Sequence, residues 1–412
     1  MRNRTLLVPK YMNEFNCIGT ACEDTCCVGW RVEVDKPTYK KYNQLVNSDL
    51  KLLLDKHVKR NRSNPSDSKY AKIKLASGGA CPMLTEERLC KIQGQLGETY
   101  LSDVCATYPR VTNIVNNIME KSATMSCPEA ARLALLNPEG IEFDEVEELG
   151  DVRSIISKTI DTSNKIMSNK LERYFWELRI FSIHVLQDRR YSLTDRLVIL
   201  GFFYQKLEEY KNDSRISEIP VLIGSFSNML EDGSIKESLS GVPSHAAVQM
   251  ELLKELADER IFSGVSNQRY FECFAAFLHG IQYNLDDSVE DIAERYDEAY
   301  TKYYLPFMEN YEYILENYLV NYVYKNTFPL GMYSSVFDEY VLMVLHYGLI
   351  KMHLIGMSRF YKENFNLDLV ITLIQSFAKT VEHNNQYIGH IMKLMEKNNY
   401  KSMAYMAILI KN

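Results

Sequence analysis

Cys17-Ile-Gly-Thr-Ala-Cys22-Glu-Asp-Thr-Cys26-Cys27 is the stretch from which the organisation of this 412-residue chain can be read. Cys81, Cys90, Cys105 and Cys127 follow, so eight of nine cysteines fall in the first third, and only Cys273 stands apart. Thiolates at such spacing can converge on one metal ion or one iron–sulfur cluster. The plainer reading is a set of small buried hydrophobes or of disulfides. Met1 to Lys10 is charged, without the apolar run or small-residue cleavage site of a secretory leader. The longest predominantly apolar stretch, Tyr340 to Ile350, is too short to span a bilayer. The expectation is a cytoplasmic protein with no membrane span, where clustered thiols point to metal rather than to disulfides. Eight thiols would serve two four-ligand sites, or one site with bystanders. The Cys-x3-Cys-x2-Cys spacing of radical-type clusters is absent, because Cys22-x3-Cys26 is followed at once by Cys27. That argues for a structural cluster or one that seats a substrate.

Working outward, the charge balance changes near residue 137. It is +6 over residues 1–135 and −13 over the remainder. The join, Asn137-Pro-Glu-Gly140-Ile-Glu-Phe-Asp-Glu-Val-Glu-Glu-Leu-Gly150, reads as an acidic linker or exposed loop. Two domains follow: residues 1–136 hold the cysteines, and residues 137–412 carry a helical pattern. The fold class is therefore mainly α, with an irregular, metal-bearing N-terminal domain and an all-helical C-terminal one. Residues 60–80 read as an exposed insertion, and Arg31 to Asp35 as a short strand. Helices are predicted over 171–187, from the Ser192-Leu-Thr-Asp195 capping box to about Tyr210, after Ser288, and over 246–260, 268–283, 311–325, 335–357, 367–382 and 386–396. No Gly-rich dinucleotide fingerprint and no P-loop occur. An overall charge of −7 without a Lys/Arg run beside stacking aromatics excludes a nucleic-acid footprint.

Three motifs together resemble the flagellin lysine-N-methylase family. The first is Cys17-x-Gly19-x2-Cys22-x-Asp24-x-Cys26-Cys27-x-Gly29-Trp30. The second runs from Leu89-Cys90 through Leu96-Gly97-Glu98 to Cys105-Ala-Thr-Tyr108-Pro109-Arg110. The third is Glu316-Asn317-Tyr318-Leu-Val-Asn321-Tyr322, followed by Phe328-Pro329. The resemblance covers nearly the whole chain. It implies a zinc- or iron-chelating N-terminal cysteine cluster, an iron–sulfur cluster of the 4Fe-4S type ahead of zinc, S-adenosylmethionine as methyl donor, and flagellin lysines as acceptors. The competing expectation is a cysteine-cluster metal-binding interaction or redox module with no methyltransferase activity.

Methyl transfer to lysine needs a neutral amine, whereas a free lysine side chain titrates near about 10.4. A site must desolvate that amine or take its proton. The segment Tyr296–Tyr347 holds 12 of the 28 tyrosines. Tyrosines at helical spacing are usually core or interface residues. Here Asn317 and Asn321 share one helix face, and Tyr318 and Tyr322 the next. The expected catalytic residues are Asn317, Asn321, Tyr318 and Tyr322, with Glu316 and Asn317 binding the methyl donor, in a pocket facing the cysteine domain. The expected ligand pool is Cys17, Cys22, Cys26, Cys27, Cys81, Cys90, Cys105 and Cys127. His184, His279, His346, His353 and Cys273 read as core residues, and Trp30 and Arg110 as shields of the cluster.

Overall fold

The computed structural model describes residues 3–412 apart from 47, 64, 151, 164–169, 242–244, 263, 265, 266 and 285. Among the described residues there are eight strands: β1 (Asn3–Pro9), β2 (Glu33–Val34), β3 (Val58–Arg60), β4 (Ala71–Ile73), β5 (Arg110–Val115), β6 (Ile118–Ala123), β7 (Phe143–Leu149) and β8 (Ile156–Ile160). The N-terminal part is thus not purely irregular. β1, β5, β6, β7 and β8 build a five-stranded sheet in the order β7-β1-β6-β5-β8, while β2, β4 and β3 build a small second sheet. Asn116 and Asn117, both at positive φ, make the two-residue turn between β5 and β6. Asparagine tolerates that conformation, which matches the twist of a hairpin.

The acidic segment after residue 140 is an edge strand. β7 pairs antiparallel with β1 along its whole length, from Asn3 opposite Leu149 to Pro9 opposite Phe143. Its glutamates suit an edge, where charge discourages pairing with another chain. The strands on either side of the 136/137 boundary therefore share one sheet. The predicted 60–80 insertion itself contains β4, which pairs antiparallel with β3; its residue 64 lies outside the described residues.

The helices that position the site are α1 (Pro128–Leu135), α2 (Phe175–Gln187), α3 (Leu193–Asn212), α4 (Gln268–Gly280), α5 (Tyr313–Lys325), α6 (Val336–Tyr361) and α7 (Leu367–Phe377). Ser192 caps α3 through the Asp195 amide, and Ser288 caps the helix Val289–Ala299 through the Asp291 amide, as the capping boxes predict. α7 continues through one π turn, Ala378–Glu382. α6 is the central helix. The span Val336–Asn364 is long and apolar enough to cross a membrane, yet its apolar window lies wholly inside the protein. α6 meets α4 at Gly280 and Gly356, where a Cβ on either would collide with the backbone opposite. One hydrophobic core joins Tyr11, Phe15 and Met125 to the C-terminal helices. A smaller core, with Val34, Leu54, Met83 and Ile92, underlies the cysteine lobe.

The sheet is bolted to the helices by charge and by rings. Arg179 on α2 donates twice to Glu120 on β6, at 2.6 and 2.7 Å, with both side chains fully buried. Its guanidinium also lies over Phe175, Trp176 and Tyr324. Such a bidentate, stacked geometry suits arginine and not lysine.

Candidate active site

α5 has three polar rows. On one, Glu316 accepts from Arg189 at 2.9 Å and from Arg196 at 2.6 Å, and Glu316 and Arg196 are both buried. On the next, Asn317, Asn321 and Tyr324 recur at helical spacing and all reach N-terminal backbone. Asn317 Nδ2 donates to the carbonyls of Asn137 (2.9 Å) and Leu135 (3.2 Å). Asn321 Nδ2 donates to the Ala123 carbonyl at 3.2 Å, and its Oδ1 accepts from Tyr11 at 2.6 Å. Tyr324 donates to the Leu7 carbonyl at 2.7 Å. The third row is Tyr318, Tyr322 and Lys325. Tyr318 donates to Glu382 Oε1 and Lys325 to Glu382 Oε2, both at 2.7 Å.

This third row borders a cleft of about 420 Å³ between the five-stranded sheet and the helices. That size falls within the ~300–1,000 Å³ typical of small-molecule sites. Asn113 of β5 and Lys158 of β8 form one wall; Tyr322, Lys325, Glu339, His346, Glu382 and His383 form the other. Of the residues singled out from sequence, Tyr322 lines the cleft and Tyr318 reaches it through Glu382. Glu316, Asn317 and Asn321 are placed as braces between α5 and its neighbours. Glu339, Glu382 and His383 had no motif around them. The faint signals were a lone acid in the first turn of an apolar helix and a Glu-His pair after an apolar run.

The cleft holds two carboxyl groups at opposite extremes. Burial pushes Glu339 up to about 7, against the hydrogen bonds it accepts from the Tyr333 and Met332 amides. Burial also penalises the Glu382 carboxylate. Lys325, His346 and the Lys325 and Tyr318 hydrogen bonds outweigh that penalty and hold it at about 2. Environments that drive two acids apart separate a permanent anion from a proton acceptor. Burial lowers His346 to about 4, so it is neutral at pH 7. Burial raises Tyr318 and Tyr322 well above 10, which keeps both as hydroxyl donors. Of these side chains, the Glu339 carboxyl is the one held near neutrality.

The Glu382 carboxyl, lowered on folding from its ordinary 4.5, contributes stability above pH 4.5 that is lost as pH falls towards 2. Glu382→Gln is expected to cost about 3 kcal/mol at pH 7, since each pKa unit is ~1.36 kcal/mol. The gap from the parent should shrink to about 1 kcal/mol by pH 2.5. Denaturant melts at both pH values check this, and an equal gap at each would contradict it.

In the cysteine lobe the thiols divide. Cys26, Cys27, Cys81, Cys90 and Cys105 line one small pocket with Trp30, Tyr42 and Tyr108. Cys17, Cys22 and Cys127 form a second group, in which burial first, and the other two thiols after it, push the Cys127 thiol up to about 11. All nine cysteines are unpaired, so the disulfide reading falls. The single Cys27 S–H can donate to either neighbour, lowering Cys90 to about 6 or Cys26 to about 7. The Ile92 and Gln93 amides assist at Cys90. Cys27 is raised in return. Cys26 and Cys27 sulfurs lie 4.0 Å apart. Among the described residues no group of three or more His, Cys, Asp or Glu forms a ready metal-binding arrangement. The metal centre expected from the sequence is thus not present as a preformed cage. The donor chemistry nevertheless suits a thiophilic metal, because the Cys27 thiol draws its neighbours Cys90 and Cys26 down from the ordinary thiol range.

No solved structure matches the chain. The "Lysine-N-methylase" of Salmonella typhimurium is 23% identical over 407 residues, covering 96% of each chain. That of Salmonella choleraesuis shows the same identity and coverage. The "Flagellar biosynthetic protein FliU" of Salmonella muenchen is 32% identical over 184 residues, 44% of this chain and 98% of its own. The profile of the FliB lysine N-methylase C-terminal domain matches residues 179–409, which include most of α2, all of α3 to α7 and all the helical residues of the cleft. The chain belongs to the FliB lysine N-methylase family.

Proposed function

We propose that the chain transfers methyl groups from S-adenosylmethionine to the ε-amino groups of flagellin lysines, and that transfer takes place in the cleft beside α5. The observation that carries this reading is the pairing of Glu382, a permanent carboxylate, with Glu339, a carboxyl poised near neutrality, in one small-molecule-sized cleft. S-adenosylmethionine, when bound, supplies a methyl group on a cationic sulfonium. The Tyr322 ring, together with an ionised Glu339, favours a cation in the cleft. The lysine ammonium gives one proton to the Glu339 carboxylate; the freed amine lone pair forms the new N–C bond as the donor's S–CH3 bond breaks, its electron pair staying on sulfur in the departing S-adenosylhomocysteine. The flagellar name of one relative and the lysine-methylase names of two others support the substrate.

The cysteine pocket fits an iron–sulfur cluster or zinc, which Cys26, Cys27, Cys81, Cys90 and Cys105 would hold. Unpaired thiols throughout support a reducing compartment, the cytoplasm. Anaerobically purified protein is expected to contain iron and inorganic sulfide, and Cys90→Ser to lower that content. A colourless protein with stoichiometric zinc would replace the iron assignment. Unchanged metal in Cys90→Ser would remove Cys90 as a ligand.

Incubation with methyl-labelled S-adenosylmethionine and purified flagellin tests the activity. Label on flagellin lysines, mapped by peptide mass spectrometry, supports the proposal. No label after anaerobic reconstitution with iron and sulfide, or with zinc, overturns it.

A further inference from the structure

The cysteine pocket and the cleft are joined by side chains that neither site explains alone. Tyr108 lines the cysteine pocket with its ring 5.7 Å from Trp30, whose indole donates to the Cys26 carbonyl at 2.5 Å. The Tyr108 hydroxyl lies 3.0 Å from Ser126 Oγ, and Ser126 Oγ lies 2.9 Å from His383 Nε2. Thr124 Oγ1 is 3.2 Å from the same nitrogen and 3.3 Å from Ser126 Oγ. His383 lines the cleft beside Glu382. Three side chains therefore run unbroken from one pocket to the other.

A second connection runs parallel to the first. Gln375 on α7 donates to the Asp24 carboxylate at 2.8 Å and to the Ser126 carbonyl at 2.9 Å. Lys379, on the π turn, donates to Asp24 and to the Thr25 carbonyl, both at 2.8 Å. Asp24 sits two residues from both Cys22 and Cys26. The segment that ends in Glu382 and His383 is thus tied to the cysteine loop.

We infer that Tyr108 and Ser126 are positioning residues for His383, so that the cysteine pocket sets the tautomer and orientation of an imidazole facing the cleft. A phenol at neutral pH carries its proton, so Tyr108 donates to Ser126. Ser126 then donates to the Nε2 lone pair of His383. That order of donors places the imidazole proton on Nδ1. A neutral histidine's tautomer is set by the hydrogen bond its other nitrogen makes. The Cys26–Cys27 turn carries Trp30, and Trp30 packs on Tyr108, so a change at the thiols reaches the relay directly. This inference rests on the proposed function for its kinetic consequence only.

The test uses the full chain labelled with ¹⁵N at its eight histidines. In the parent, His383 is expected as the Nδ1–H tautomer. Ser126→Ala and Tyr108→Phe should each shift its ring-nitrogen signals towards a tautomer mixture. Ser126→Thr, which keeps the hydroxyl, should restore the parent signals. Methyl transfer should fall about 10-fold in kcat with KM unchanged, as when a side chain facing the reacting groups is misplaced. The Tyr108→Phe/Ser126→Ala double variant should be no slower than the worse single variant. Unchanged His383 signals in both folded single variants, or rate losses that multiply in the double variant, would overturn the relay. A parent without methyltransferase activity defeats the proposed function instead, and the nitrogen signals still judge the relay.

Discussion

Replacing Glu339 by Gln is expected to lower the methylation rate about 100-fold or more, the usual contribution of a positioned proton acceptor. Gln keeps a side-chain oxygen that can accept from the Tyr333 amide, so the turn after α5 should stay in place. The acceptor must be ionised, and burial holds Glu339 at about 7. Parent activity should therefore fall roughly tenfold per pH unit below about 7, and the variant should lose that limb. Stability moves the other way. A carboxyl raised on folding from its ordinary 4.5 to about 7 costs the native state free energy once it ionises, so that cost grows as pH rises from 4.5 to 7. Glu339→Gln should thus be at least as stable as the parent at pH 8. A variant of parent-like rate across the pH range would remove Glu339 from the chemistry.

The second large effect concerns Glu316. The sequence motif suggests a ligand for the methyl donor, whereas the structure surrounds this carboxylate with Arg189 and the buried Arg196. Glu316→Ala leaves Arg196 with the half-exposed Glu312 as its remaining ion-pair partner. Removing one partner of a buried pair costs ~3–5 kcal/mol. Urea unfolding should show a loss near that range, with affinity for S-adenosylmethionine retained by the folded fraction. Stability within about 1 kcal/mol of the parent, together with lost S-adenosylmethionine binding, would return Glu316 to the donor site.

How far the sequence was legible depends on range. Helices announced themselves through local signals: the Ser192 and Ser288 caps and the apolar spacing of α2, α3 and α6. The five-stranded sheet did not, because β1 pairs with β7 and β6 more than 100 residues away. β7 also carries so many acids that its alternation reads as a solvated linker. The Asn116-Asn117 turn between β-branched runs was the one local clue. The site followed the same rule. α5 was found through its polar spacing, but spacing alone ranks Asn317 and Asn321 equally with Tyr318 and Tyr322. What separates them is which row meets α1 and the sheet and which meets Glu382. Glu382 and His383 enter the cleft from a turn some 60 residues downstream of Tyr322. The cysteines were legible as a group, while their division into five and three depends on how the small sheet folds over them.

The location of the transfer site is tested most directly by a crystal structure of the protein with S-adenosylhomocysteine, the demethylated product. The ligand's sulfur is expected in the cleft, with Tyr322, Glu339 and Glu382 around it. Density for the ligand in any other pocket, with the cleft beside α5 empty, would contradict it.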